Sequence, residues 1–151
     1  MLCAPGLGIV LRHQLGLRGH RLGELRLQHL GHLLVHPTRQ RKRRPDVACV
    51  SYDRWPPQQR VPRTEAWDVV PTLAVEVVSP TDRAEDLMPK VTEYFRAGVE
   101  RVWVLFPAHE HVYVYASPTT VRILTRADAW HGEPILPHFR LPLAAFFDDV
   151  M

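Results

Sequence analysis

A chain of 151 residues is the usual size of one domain and can bury a core without disulfides or a structural metal. Its 46% hydrophobic and 23% charged residues argue against disorder, 14 prolines predict many loop boundaries, and a formal net charge of +3 suits contact with a polyanion without requiring it. Cys3 and Cys49 form no CxxC pair, which gives no sign of a disulfide framework or zinc site, and no apolar run approaches the roughly 20 residues that span a bilayer.

The chain starts without the basic segment of a secretory signal, so the cytoplasm is the simplest expectation. Residues 1 to 37 are rich in Leu, Gly, His and Arg, and glycines from Gly6 to Gly31 interrupt any long helical period. Leu25, Leu27, Leu33 and Leu34 suggest a hairpin around Gly31. The next stretch packs five cations, Arg39, Arg41, Lys42, Arg43 and Arg44, and reads either as a solvated loop or as a strip for phosphates.

From Pro45 onward the pattern sharpens. Asp46–Ser51 reads as a short strand that runs into a Pro56-Pro57 loop extending to about Val70. Thr72–Ser79 is β-branched and apolar, as expected of a buried central strand, and its one charged residue is Glu76. A helix follows, with Val91, Tyr94 and Phe95 at helical spacing and Gly98 as its stop. Because proline is tolerated in a first turn but not deep inside, Pro89 predicts that the helix begins near Asp86–Pro89, with Lys90 in its first turn.

Arg101–Phe106 and His111–Tyr115 flank a Pro-Ala-His-Glu turn, and Val121–Thr125 adds a third strand, giving an antiparallel meander. The tail from Ile135 to Phe147 suggests a short closing helix. The fold class is α/β (α+β), a mixed sheet with flanking helices.

Asp46 and Glu76 each lie in a strand-like segment, and strand pairing can bring them together. Two converging carboxylates repel unless a cation lies between them, and oxygen donors suit Mg²⁺ or Mn²⁺. Such a cation assists phosphodiester cleavage by neutralising charge on the phosphoryl oxygens and lowering the pKa of water. Lys90, the nearest lysine after Glu76, can supply an ammonium that orients the nucleophile or stabilises developing charge.

Arg-Pro-Asp46, Pro71-Thr-Leu-Ala-Val-Glu76-Val-Val-Ser79-Pro80, Lys90 with Tyr94 and Gly98-Val99, and Trp103 together carry a resemblance. The chain resembles the Uma-two family of restriction-endonuclease-like proteins, a branch of the PD-(D/E)XK phosphodiesterase superfamily. The resemblance covers residues 45 to about 149, including Ile135-Leu-Pro137 and Leu141-Pro-Leu-Ala-Ala-Phe-Phe147, and implies a nuclease-like core over 45–151 with 1–44 as a poorly matching N-terminal segment of the same domain. It implies a metal-dependent endonuclease that hydrolyses DNA, with Asp46, Glu76 and Lys90 catalytic. The metal ligands are then Asp46, Glu76 and the Val77 carbonyl.

In the superfamily pattern a lysine stands two residues after the second acidic residue. Val78 occupies that position here, and members resembling this chain place the lysine on the following helix, which matches Lys90. Members also carry an additional acidic residue in an N-terminal helical region; Glu24 is the only acidic residue before Asp46 and so the only candidate. The resemblance implies DNA as partner, contacted through Arg39–Arg44, is compatible with a homodimer, and implies no organic cofactor.

Alternatives stand beside these readings. Asp46 can be a turn cap after Pro45, Glu76 can pair with an arginine, and Lys90 can be an ordinary surface lysine. Tyr94 and Trp103 are assigned to packing. Neither His29, His32 and His36 nor His109 and His111 has a convincing partner for zinc. Ser79 lacks the glycine elbow of a serine hydrolase, and Gly6-Leu-Gly8 lacks the third glycine of a nucleotide-binding turn. A catalytically weak nucleic-acid-binding or interaction module on the same fold is the alternative function, and an unstable remnant is a third.

Overall fold

The structure is a computed structural model that describes residues 45–56 and 69–148, with the backbone of 35–38 and 41–43. Strands β1 (Val35–Thr38) and β2 (Arg41–Arg43) pair as an antiparallel hairpin. Three of the five cations of the basic run therefore lie in a strand, a segment whose sequence suggests a solvated loop or a strip for phosphates. A ladder supplies backbone partners whatever the side chains are, so a run of charges does not prevent pairing. The suggested hairpin around Gly31 lies outside the described residues, as does most of the loop between Pro57 and Val70.

Five strands form the main sheet, in the order β3 (Val47–Cys49), β4 (Leu73–Val77), β5 (Arg101–Phe106), β6 (His111–Ser117), β7 (Thr120–Leu124). Pairing is antiparallel everywhere except β4 with β5, which run parallel. Helix α1 (Ala84–Arg96) makes that crossover. A parallel pair needs such a connection because a tight turn cannot return the chain to the same end of the sheet.

Side chains alternate between the faces. Ala74, Val102, Val104 and Tyr115 face α1 and pack with its Val91 and Tyr94. Leu73, Val75, Trp103, Leu105 and Val112 face the other way, toward the C-terminal layer. That layer is a two-stranded ribbon, β8 (Ala129–His131) with β9 (Arg140–Pro142), and helix α2 (Leu143–Asp148). Trp103 packs there against Trp130 with tilted rings, centroids 4.5 Å apart, and against Phe139 at 5.8 Å. The mixed sheet, meander and closing helix agree with the sequence; β8 and β9 are additions. Among the described residues no helix is long and apolar enough to cross a membrane.

Helix α1 starts earlier than Pro89 predicts. Its first residue is Ala84, with Glu85 and Asp86 in the first turn, where carboxylates complement the helix dipole, and Pro89 lies inside it. Pro89 is exposed, so its ring stands in solvent. Lys90 consequently falls in the second turn rather than the first. The helix ends at Ala97 and Gly98; the φ of +96° at Gly98 is left-handed backbone that glycine adopts without a Cβ clash.

Candidate active site

Glu76 sits on β4 opposite Val104 and points to the α1 face, where it is 5% exposed. Val47 pairs with Val75 across β3 and β4, and one further step in that antiparallel register sets Asp46 opposite Glu76. Side chains of directly opposed residues lie on the same face. Asp46 is exposed, and its Oδ2 accepts a hydrogen bond from the Val77 N–H at 2.7 Å. The strand thus delivers one carboxylate from its own middle and fixes a second at its edge.

Lys90 and Tyr94 are four apart on α1, one turn above each other on a single helix face. Both reach Glu76. The Lys90 ammonium donates to Oε2 at 3.0 Å, and the Tyr94 hydroxyl donates to Oε1. Removal from water pushes the Glu76 carboxyl above the usual carboxylate range; the hydrogen bonds from Tyr94 and Lys90 and the charge of Lys90 pull it down, and the Asp46 carboxylate adds to the rise. Burial is the largest of these effects.

A cavity of about 260 Å³ opens beside this group, at the carboxyl ends of the parallel strands β4 and β5. Glu76, Val77 and Lys90 line it, as do the loop that follows β4, the start of α1 and the short 3₁₀ turn Pro107–His109. The loop is pinned by Asp82, whose Oδ2 accepts from the Ser79 N–H at 2.7 Å; that bond holds the Asp82 carboxyl below its ordinary range.

Clefts at the carboxyl ends of parallel strands are common ligand sites, because successive loops diverge there. The family model described as "Putative restriction endonuclease" (Uma2) matches residues 8–144. The chain belongs to the Uma2 family. A solved structure described as a putative nuclease belonging to DUF820, from Anabaena variabilis ATCC 29413, has a similar fold: TM-score 0.62 at 14% identity. The match covers 73% of this chain and 62% of that one, so the Uma2 chain spans less than two thirds of the solved structure it matches. No curated protein matches.

Of the residues singled out in the sequence of this Uma2 chain, the structure brings Asp46, Glu76, Val77 and Lys90 together. Arg41, Lys42 and Arg43 lie in β2, while Arg39, Arg44 and Glu24 fall outside the described residues. Glu76 pairs with Lys90 rather than with an arginine. Trp103 is core, as expected, but Tyr94 does more than pack, because its hydroxyl is bound to Glu76. The signal was available: a tyrosine buried in a helix needs a partner for its O–H, and Glu76 was the charged residue expected in the adjoining strand.

The donors on hand are oxygens: two carboxylates from hydrogen-bonded strands and the Val77 carbonyl. This set suits a hard divalent cation, and a buried carboxylate displaced upward by desolvation is one that a cation would hold ionised. Among the described residues, no group of three or more His, Cys, Asp or Glu side chains is placed to hold a metal.

Proposed function

We propose that the chain is an endonuclease that hydrolyses DNA phosphodiester bonds with Mg²⁺ or Mn²⁺. The observation that carries this reading is the constellation at β4: Asp46 bound to the Val77 N–H, and Lys90 3.0 Å from the buried Glu76. The Uma2 family and the nuclease-like fold support it.

Asp46, Glu76 and the Val77 carbonyl would hold the cation. When bound, it supplies positive charge to the phosphate and makes water a stronger acid. The protein's own groups do the rest. Lys90, steadied by Glu76, presents an ammonium to the attacking water and to the charge that grows on the phosphate. Tyr94 fixes the other Glu76 oxygen, which keeps the carboxylate from turning away from the cavity. Cations of the Arg39–Arg44 run contact backbone phosphates, which gives affinity that falls with salt and is largely independent of sequence.

The test is cleavage of supercoiled and linear DNA in Mg²⁺ and in Mn²⁺ by the parent and by Asp46→Ala, Glu76→Gln and Lys90→Ala. Each substitution is expected to lower the rate by about 100-fold or more, the size of effect seen when a preorganised charge is removed from a reacting centre. Undiminished cutting by all three would sink the proposal.

A further inference from the structure

The recess beside Glu76 bears on which form of DNA the site accepts. The Glu76 side chain is only 6% exposed and Lys90 35%, so a phosphate must come down into the cavity to meet them. In a continuous duplex, phosphates ride on a wide, stiff cylinder with the bases stacked inside it. An unpaired nucleotide has no such restraint and can enter a narrow recess.

Part of the wall suits a base, while Asp82, Arg83, Asp86 and Lys90 make the rest of the lining polar. Val78, Leu87 and Phe106 give the cavity apolar sides, and the Phe106 ring is backed by Tyr113 at a centroid distance of 4.6 Å. Ala84 on α1 and Ala108 on the 3₁₀ turn stand on its lining with small side chains. At about 260 Å³ the space falls just under the roughly 300–1,000 Å³ of small-molecule pockets, room for one base and not for a base pair. Aromatic walls bind bases through their faces with little regard to sequence.

We infer that this cavity receives one unpaired nucleobase next to the scissile phosphate, so that the substrates are strands offering an unpaired nucleotide: single strands, tails and bulges. The inference rests on the nuclease reading above and narrows its substrate.

The experiment compares one sequence presented as a single strand, a duplex with a single-stranded tail and a blunt continuous duplex. It uses the full chain and two variants that enlarge side chains on the cavity lining, Ala84→Trp and Ala108→Trp, each checked for parental circular dichroism and Tm. The two forms with unpaired nucleotides should be cut at least tenfold faster than the blunt duplex, and both variants should lose that cleavage tenfold or more. Without added divalent ion, a single strand carrying 2-aminopurine should show fluorescence quenching with the parent and none with either variant.

Equal or faster cutting of the blunt duplex overturns the inference, as does full activity in both folded variants. If the parent cuts no form of DNA, the nuclease reading fails. The quenching measurement then decides the cavity alone: quenching removed by both variants upholds base binding, and no quenching, or quenching that both variants keep, overturns it.

Discussion

A carboxylate in the middle of a sheet is costly, and Glu76 is held by three surroundings that act in opposite directions. Burial favours its proton; Tyr94 and Lys90 favour its charge. A carboxyl whose folded pKa lies above its unfolded value binds its proton more tightly when folded. Glu76 therefore contributes stability that is fully present below its unfolded pKa and is lost as pH rises through the folded pKa. Tyr94→Phe removes one of the donors that lower that pKa. In the metal-free protein, NMR titration of the Glu76 carboxyl is expected to move to higher pH in Tyr94→Phe than in the parent, with the pH range of declining stability extended upward to match. A titration unmoved or moved downward would show that the hydroxyl does not stabilise the charged form.

At the scale of elements, helix α1 sets the site because it delivers Lys90 and Tyr94 from one face, and it does so with a proline inside. Pro89 removes an intrahelical hydrogen bond, a defect that costs about 3 kcal/mol in a regular helix interior. Because the ring is exposed, Pro89→Ala should restore the bond without opening the core. The expected gain is about 1 kcal/mol or more, a rise in Tm of roughly 2–4 °C, measured by thermal unfolding. A lower Tm would mean that the proline itself positions the second turn.

Sequence patterns were most informative where elements were long and apolar. Leu73–Val77, Arg101–Phe106 and His111–Ser117 carry Val, Tyr, Trp and Phe on a period of two or as buried runs, and the structure places strands there. The ribbon β8–β9 escaped because each strand is three residues, one of them ending in Pro142, and its register comes from Trp130 and Leu141 meeting the core rather than from local propensity. In the site, Glu76 and Lys90 were legible as a rare buried charge and a following cation. Tyr94 was legible only in part, because aromatic spacing on a helix describes packing equally well and its hydroxyl's partner lies on a different element, the strand that carries Glu76.

At the scale of the molecule, the sheet is covered on both sides by unlike layers. One is α1, which carries Lys90 and Tyr94; the other is the aromatic-rich C-terminal layer. Phe146 is fully buried, and its ring lies 5.1 Å from that of Phe147. Phe146→Ala should cost about 3–5 kcal/mol, a large part of the roughly 5–15 kcal/mol that holds a domain folded. Denaturant unfolding should show a lower midpoint with little change in slope. A loss under 1 kcal/mol would show that this layer is dispensable.

At the far end of the sheet, Arg54 donates to the carbonyls of Pro71 at 2.8 Å and Gly98 at 3.0 Å and pairs with Glu100 at 2.7 Å. This clamp ties the segment before β4 to the turn before β5. The parallel pair is thereby fastened at the end opposite the cavity.

Among the described residues, Asp46 is held by the Val77 N–H at 2.7 Å. It precedes β3, which spans three residues and is the edge strand of the described sheet, whereas Glu76 lies in a strand flanked on both sides. All three residues of β3 are nonetheless buried, and Val47 and Cys49 belong to the same cluster as Trp103, Trp130 and Phe146. Pulling the two carboxylates apart therefore means opening that core, so heat or denaturant would dismantle the site together with the protein and not ahead of it.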